Sequence, residues 1–197
     1  DMTPPLGPPI GNAKEGREAA EVLAGGGPAD VVELTVALAR DMLALAGQPD
    51  ADVEAALNDG RAMDAWRAMI IAQDGDPDAA LPTPNETHTV KATEDGYVTG
   101  IEALPFGIPA WRLGPGRARA HGPVLHAAGI DLHVKPGDEV TAGQPLFTLL
   151  GEDAPRFDRA LEALDGGWQI GPEAPARTPL VLERITAQAG VVPRRGP

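Results

Sequence analysis

Asp1-Met2-Thr3-Pro4-Pro5-Leu6-Gly7-Pro8-Pro9-Ile10-Gly11-Asn12-Ala13-Lys14-Glu15 opens the chain and decides how the rest is read. Four prolines and a glycine within Pro4 to Pro9 demand a stiff turn, not a helix. The turn then hands over to a helix start: Asn12 is a good N-cap, and Glu15 follows at the capping-box spacing. A turn of this kind leading into a helix reads as the interior of a larger fold.

Working outward, the next seventy residues read as helices. The first helix runs through Ala19, Val22 and Leu23 and stops at Gly25-Gly26-Gly27. Pro28 suits the first turn of the next, in which Val31, Val32, Leu34, Leu38, Met42 and Leu45 recur at close to 3.6 residues. Gly47-Gln48-Pro49 ends it. A short helix covers Val53 to Leu57, and a fourth carries Met63, Trp66, Met69 and Ile70 and ends near Gln73. No strand pattern appears before residue 80. Helices with little to pack against imply a layer made to cover a sheet supplied from elsewhere.

Leu81-Pro82-Thr83-Pro84-Asn85 marks the boundary, and the texture changes after it. His88 to Ala92 and Tyr97 to Ile101 alternate around Asp95-Gly96, which predicts a hairpin. Residues 103–113 fit a short helix or a further strand, with Pro105 and Pro109 inside. Ile130 to Val134, Val140, Pro145 to Leu150, Trp168 to Ile170 and Pro179 to Ile185 read as strands. Phe157, Leu161 and Leu164 mark a helix, and the ending from Gly190 to Pro197 is expected to fray. The reading is thus α+β: a helical region over 1–80, a linker over 81–87 and a β-rich domain over 88–197.

Composition closes several alternatives. A net charge of −13, from 29 acidic and 16 basic residues, repels a polyanion, so nucleic acid is set aside as a partner. The local clusters Arg112, Arg117, Arg119 and Arg194-Arg195 are not interleaved with aromatics. The absence of cysteine excludes disulfides, thiolate metal sites and thiol nucleophiles, and fits a cytoplasmic location. No run of 18 apolar residues exists, so no membrane-spanning helix is expected.

Several blocks in fixed order resemble the pyrimidine-nucleoside (thymidine) phosphorylase family. They are the opening run; Gly26-Gly27-Pro28 with Val32-Glu33-Leu34; Met69-Ile70-Ile71-Ala72-Gln73-Asp74-Gly75-Asp76-Pro77; Asp95-Gly96-Tyr97-Val98; Leu113-Gly114-Pro115-Gly116-Arg117; Val134-Lys135-Pro136-Gly137-Asp138; and Thr178-Pro179-Leu180 with Glu183-Arg184-Ile185. The resemblance covers essentially the whole chain. It implies the helical remainder of an α/β phosphorylase domain followed by a hammerhead-like C-terminal domain, with most catalytic groups upstream of residue 1. The implied reaction is phosphorolysis of a pyrimidine nucleoside to free base and (deoxy)ribose 1-phosphate, by a homodimer at full length. Nucleoside and phosphate would be held by the upstream half.

The family's Lys-His-Ser phosphate run and its base-reading Arg, Ser and Lys have no counterpart here, so no catalytic or substrate-binding residue is assigned, and the chain alone is expected to be inactive. His88, His121, His126 and His133 match no family catalytic position and read as surface or packing residues. No cofactor is required for the chemistry. The family's structural potassium ion maps onto backbone carbonyls of Leu6 and Pro9 and onto Glu15, a set that suits a hard cation. Glu15 alone reads equally well as a helix cap. Lys14, Gly16 and the stiff Pro8-Pro9 pair depart from the family pattern.

The second half also resembles biotinyl/lipoyl hammerhead domains through Asp95-Gly96-Tyr97-Val98 and Lys135 to Leu146. It lacks a Glu-Ala-Met-Lys-like tetrad, Lys135 lies in the wrong place for one and Lys91 precedes the turn, so the likeness reads as shared sheet architecture and disfavours a carrier; a biotinyl/lipoyl-like carrier or non-catalytic binding module is the alternative function.

Overall fold

A computed structural model describes residues 1–117, 119–164, 166–186 and 190–193. The chain begins with β1 (Pro9–Ile10) and continues through α1 (Asn12–Leu23), α2 (Ala29–Leu45), α3 (Val53–Asn58) and α4 (Arg61–Ala72). Then come β2 (Glu86–Lys91), β3 (Gly96–Ile101), α5 (Ala103–Leu113), β4 (Gly129–Leu132), β5 (Glu139–Val140) and β6 (Pro145–Gly151). The last elements are α6 (Pro155–Ala163), β7 (Trp168–Gly171), β8 (Glu183–Thr186) and β9 (Gly190–Pro193). The architecture is α+β, as the residue patterns require.

Two cores organise the molecule. The larger lies between an antiparallel four-stranded sheet, ordered β1-β4-β6-β2, and a three-stranded one, ordered β5-β3-β7. Ile130, Phe147 and Leu149 from the first sheet meet Val98, Ile101 and Val140 from the second. α5 and α6 add Phe106, Leu113, Ala160 and Leu164. Phe147 sits at its centre, edge-on to both Phe106 and Trp168 with ring centroids 5.1 and 5.0 Å away. The smaller core is purely helical: Val22, Val36, Val53 and Leu57, with Val32, Ala39 and Leu43 against them.

The expected Asp95-Gly96 hairpin does not form. β2 pairs with β6, and β3 pairs with β5 and β7, so the two strands lie in different sheets. Asp95 accepts the Ala142 N–H at 2.7 Å, and Ala92 trades backbone bonds with Gln144 and Gly143. The turn therefore crosses between sheets. Strand–turn–strand spacing is the same for a turn that closes a ladder and one that leaves it.

Three further expectations change. The first eighty residues do contain a strand, β1, which pairs with β4 at Pro9↔Asp131 and Ile10↔Ile130. Two residues are too few to show a period, and a proline is admissible there because β1 is a sheet edge. Of Pro179 to Ile185 only the end is strand, as part of β8. β8 pairs with β9, so Gly190 to Pro193 form a hairpin arm instead of fraying; residues 194–197 lie outside the described residues. For residues 103–113 the helical alternative holds, with Pro105 in its first turn and Pro109 inside.

α2 carries two apolar stripes. The one that enters the core is Val32, Val36, Ala39 and Leu43. Leu38, Met42 and Leu45, from the stripe read in the sequence, point outward and are 56%, 69% and 86% exposed. On α4, Met69 and Ile71 are also exposed.

Candidate functional site

The seam between the two cores is built by the opening run. Ala103 N–H donates to Thr3 O, and Leu132 N–H donates to Pro8 O. Ala13 N–H donates to His126 O, which satisfies one first-turn donor of α1 from the sandwich. Lys14 Nζ and Asp131 Oδ2 make an ion pair at 2.5 Å. The opening run, into the first turn of α1, is therefore tied to the β-rich half.

Asn12 is not the cap of α1. The N-cap is Gly11, and the Asn12 side chain instead donates to Pro115 O at 2.8 Å. The Glu15 carboxylate reaches back and accepts the Gly11 N–H at 2.8 Å. One of its oxygens is thus committed to holding the helix start, as half of a capping box would be.

Glu18, one turn further along α1, was not singled out by the sequence. Its carboxylate lies over Gly7, where a side chain would overlap it, and Gly7 adopts φ +63°. Glu18 Oε1 is buried and has no hydrogen-bond partner among the described residues. Burial first, then the charges of Asp30 and Glu15, push its pKa up to about 7, against the pull of Lys135. The signal available in sequence was the i, i+3 spacing from Glu15, which puts both carboxylates on one side of the helix.

Asp30, at the start of α2, accepts the Gly7 N–H at 3.0 Å. Burial works against its ionisation, but the Gly7 N–H and the Lys135 ammonium outweigh it and hold the carboxyl below its ordinary value. Lys135 Nζ donates to Pro5 O and Gly7 O, each at 2.7 Å, and to Asp30 Oδ2 at 3.1 Å. Between those carbonyls, Leu6 O accepts no hydrogen bond from a described residue. Pro8 O faces β4, so strand alternation turns Pro9 O away from it. The structure thus gathers Leu6, Glu18, Asp30 and Lys135 around Gly7, with Pro9 following in β1 and Glu15 at the helix start.

The histidines do not converge. His133 Nε2 lies 2.8 Å from Thr148 Oγ1 on the outer sheet face, and His126 Nδ1 lies 3.4 Å from Asn12 Nδ2. The His88 ring is 6.0 Å from that of Phe157, and His121 sits in a loop at φ +60°. A crevice of about 1370 Å³ runs along the seam between α2 and the sandwich; Asp1, Asp30, Glu102 and Asp138 bring carboxylates to it, and Lys135 and Arg177 bring cations. Among the described residues no histidine lines it, and its one recorded ion pair, Lys135 with Asp30, is part of the Gly7 seam.

The carrier alternative loses its lysine. Lys135 is spent on three oxygens of the seam, and Lys91 ends β2, which closes no hairpin. Among the described residues no helix is long and apolar enough to cross a membrane, and no group of three or more His, Asp or Glu could hold a metal ion by side chains alone.

Comparison with known proteins agrees with this architecture. The sequence profile described as pyrimidine nucleoside phosphorylase C-terminal domain matches residues 97–171. The chain is 47% identical over 185 residues to a thymidine phosphorylase of Mycobacterium tuberculosis, covering 94% of this chain and 43% of that protein. It is 35% identical to a pyrimidine-nucleoside phosphorylase of Bacillus subtilis, over 89% of this chain and 43% of that protein. With the Geobacillus stearothermophilus pyrimidine-nucleoside phosphorylase it shares 38% identity, over 76% and 37%. The chain thus spans less than half the length of the curated relatives it matches. With the matched domain forming the heart of the sandwich and the similarity running on through the helical layer, the chain belongs to the pyrimidine-nucleoside phosphorylase family.

Proposed function

We propose that this chain is the C-terminal portion of a thymidine or pyrimidine-nucleoside phosphorylase, and that it braces an active site whose substrate-binding groups lie in the other portion. The whole enzyme would transfer the pentosyl group of a pyrimidine nucleoside to phosphate, releasing the base and forming (deoxy)ribose 1-phosphate. The observation that carries this reading is the 47% identity over nearly the whole chain. In this division, residues 1–80 form one helical face of the α/β domain, 81–87 link, and 88–197 form the C-terminal domain. The exposed Leu38, Met42 and Leu45 stripe is the face that the remainder of the enzyme would cover. Operation in the cytoplasm and assembly as a homodimer belong to the same proposal.

The chain's own contribution is positional. A reaction of this kind passes through an oxocarbenium-like sugar and a departing base anion, and is accelerated by holding phosphate and nucleoside in register. A rigid seam beneath the cleft serves that end. A potassium ion fits at the Leu6–Gly7 turn, with the Leu6 and Pro9 carbonyls and a carboxylate of α1 as its ligands. Glu18, with its buried free oxygen, faces that turn, whereas Glu15 is partly engaged by Gly11. Glu15, Glu18 and Asp30 outnumber the single ammonium of Lys135, so one more positive charge is welcome there. The ion would supply fixed charge and loop rigidity, not a reacting group.

The test is thymidine phosphorolysis, followed as free thymine, with this chain alone and with the chain mixed with a separately made upstream half of a homologous phosphorylase. Activity only in the mixture is expected. Thymine release by the pure chain would show that catalytic groups lie within it. A well-folded chain that stays silent in both samples would argue against a complementing role.

A further inference from the structure

Lys135 begins the turn Lys135-Pro136-Gly137-Asp138 between β4 and β5. The turn is pinned to the sandwich from within. Lys135 N–H donates to Asp138 Oδ2 at 2.8 Å, Gly137 N–H to Val98 O at 2.8 Å, and Val98 N–H to Asp138 O at 2.9 Å. From this fixed base the side chain crosses the seam. An ammonium has three N–H donors, and three oxygens meet this one: Pro5 O, Gly7 O and Asp30 Oδ2.

Asp30 Oδ2 also accepts the Gly7 N–H. The Gly7 backbone, the Asp30 carboxylate and the Lys135 ammonium therefore close a ring of charge-assisted hydrogen bonds that fixes the turn on both sides of Gly7. Among the described residues, the ion pair between α1 and the sandwich, Lys14 with Asp131, touches no carbonyl of this turn. Two of the three acceptors of Lys135 are main-chain oxygens, the ligand type a bound metal cation would seek.

We propose that Lys135 is a positioning residue, a cation supplied by the C-terminal domain that locks the Pro5–Gly7 turn and so presents Leu6 O and Glu18 in their observed places. The latch stands on the hydrogen bonds alone; its effect on potassium rests on the proposed function above. Through it the sandwich governs a turn that belongs, in sequence, to the helical half.

Amide exchange at Gly7, measured on the whole 197-residue chain, tests the latch. In Lys135→Ala, the Gly7 N–H keeps its Asp30 acceptor but loses the ammonium that holds the turn and that acceptor together, and Gly7 is expected to exchange about tenfold faster or more. Propylammonium, which replaces the deleted part of the side chain, should restore protection saturably. Tetramethylammonium, with no N–H to donate, should not. Lys14→Met should leave Gly7 unchanged. Unaltered exchange in Lys135→Ala, or equal rescue by both cations, overturns the proposal. Should Lys135→Ala not fold, Lys135→Met keeps the apolar stem but removes the ammonium, and unaltered Gly7 exchange there overturns the proposal equally. A potassium-dependent rise in melting temperature, read in parallel, should need more potassium in Lys135→Ala. A chain that shows no potassium effect at all counts against the ion site alone, and Gly7 exchange still decides the latch.

Discussion

The Glu18 carboxylate lies over the α-carbon of Gly7, in space that a side chain at that position would fill. The contact joins a turn to a helix eleven residues later, and a side chain at Gly7 would have to push the Glu18 carboxylate aside. Gly7→Ala should therefore cost about 1–2 kcal/mol from the left-handed backbone alone, plus the displacement of Glu18. A thermal melt should show a fall of several degrees, since each kcal/mol shifts a chain of this size by about 2–4 °C. Gly16→Ala is the control: it has open space around it and sits inside α1, so it should stabilise slightly.

Glu18 also predicts a pH dependence. Its folded pKa is about 7, above the unfolded value of about 4.3. Between these values the folded chain holds more protons, so stability should fall as pH rises from about 4.3 through 7, then level off. Asp30 has the opposite sign: its lowered pKa gives stability that is lost only in acid. Denaturant melts at pH 5 and pH 8 would read the first effect. Glu18→Gln should flatten the slope and gain most at pH 8. Added potassium, if it binds Glu18, should also flatten it by favouring the carboxylate.

Phe147 is 1% exposed and touches rings from α5 and from the three-stranded sheet. Phe147→Ala should cost about 3–5 kcal/mol, the usual range for emptying such a site. The loss should appear in the melting of the sandwich. The helical core of Val22, Val36, Val53 and Leu57 shares no residue with it. Tryptophan fluorescence of a Trp66→Phe background follows the sandwich, because Trp168 and Trp111 lie on its β7 and α5 whereas Trp66 lies on α4.

The outward stripe of α2 gives a fourth prediction. Replacing Leu38, Met42 and Leu45 together by Gln should change the chain's own stability by no more than about 0.5 kcal/mol per site, as for other exposed positions. The same triple change should abolish activity recovered with an upstream half. Full recovery by the triple variant would exclude this face as the covered one.

Much of the fold was legible in sequence because its signals are local. Helix periods, the glycine stops at Gly25-Gly26-Gly27 and the strand runs around Lys135-Pro136-Gly137-Asp138 depend on neighbours within a few residues, and these elements appear close to where the patterns place them. The order of family blocks was legible for the same reason. The Leu6 to Pro9 turn was legible as a turn, but not as the meeting point of two cores.

What the sequence determined by itself was therefore α+β character, the approximate place of most elements and kinship with the phosphorylases. Tertiary structure alone decided which strand pairs with which, since β2 and β3 satisfy their backbones in different sheets. It decided which of two apolar stripes on α2 enters the core, because both have helical period and only packing tells them apart. It also decided that Glu18 and Lys135 meet at Gly7. Those residues lie far apart along the chain, and their burial and charge become strong only when water is displaced from between them.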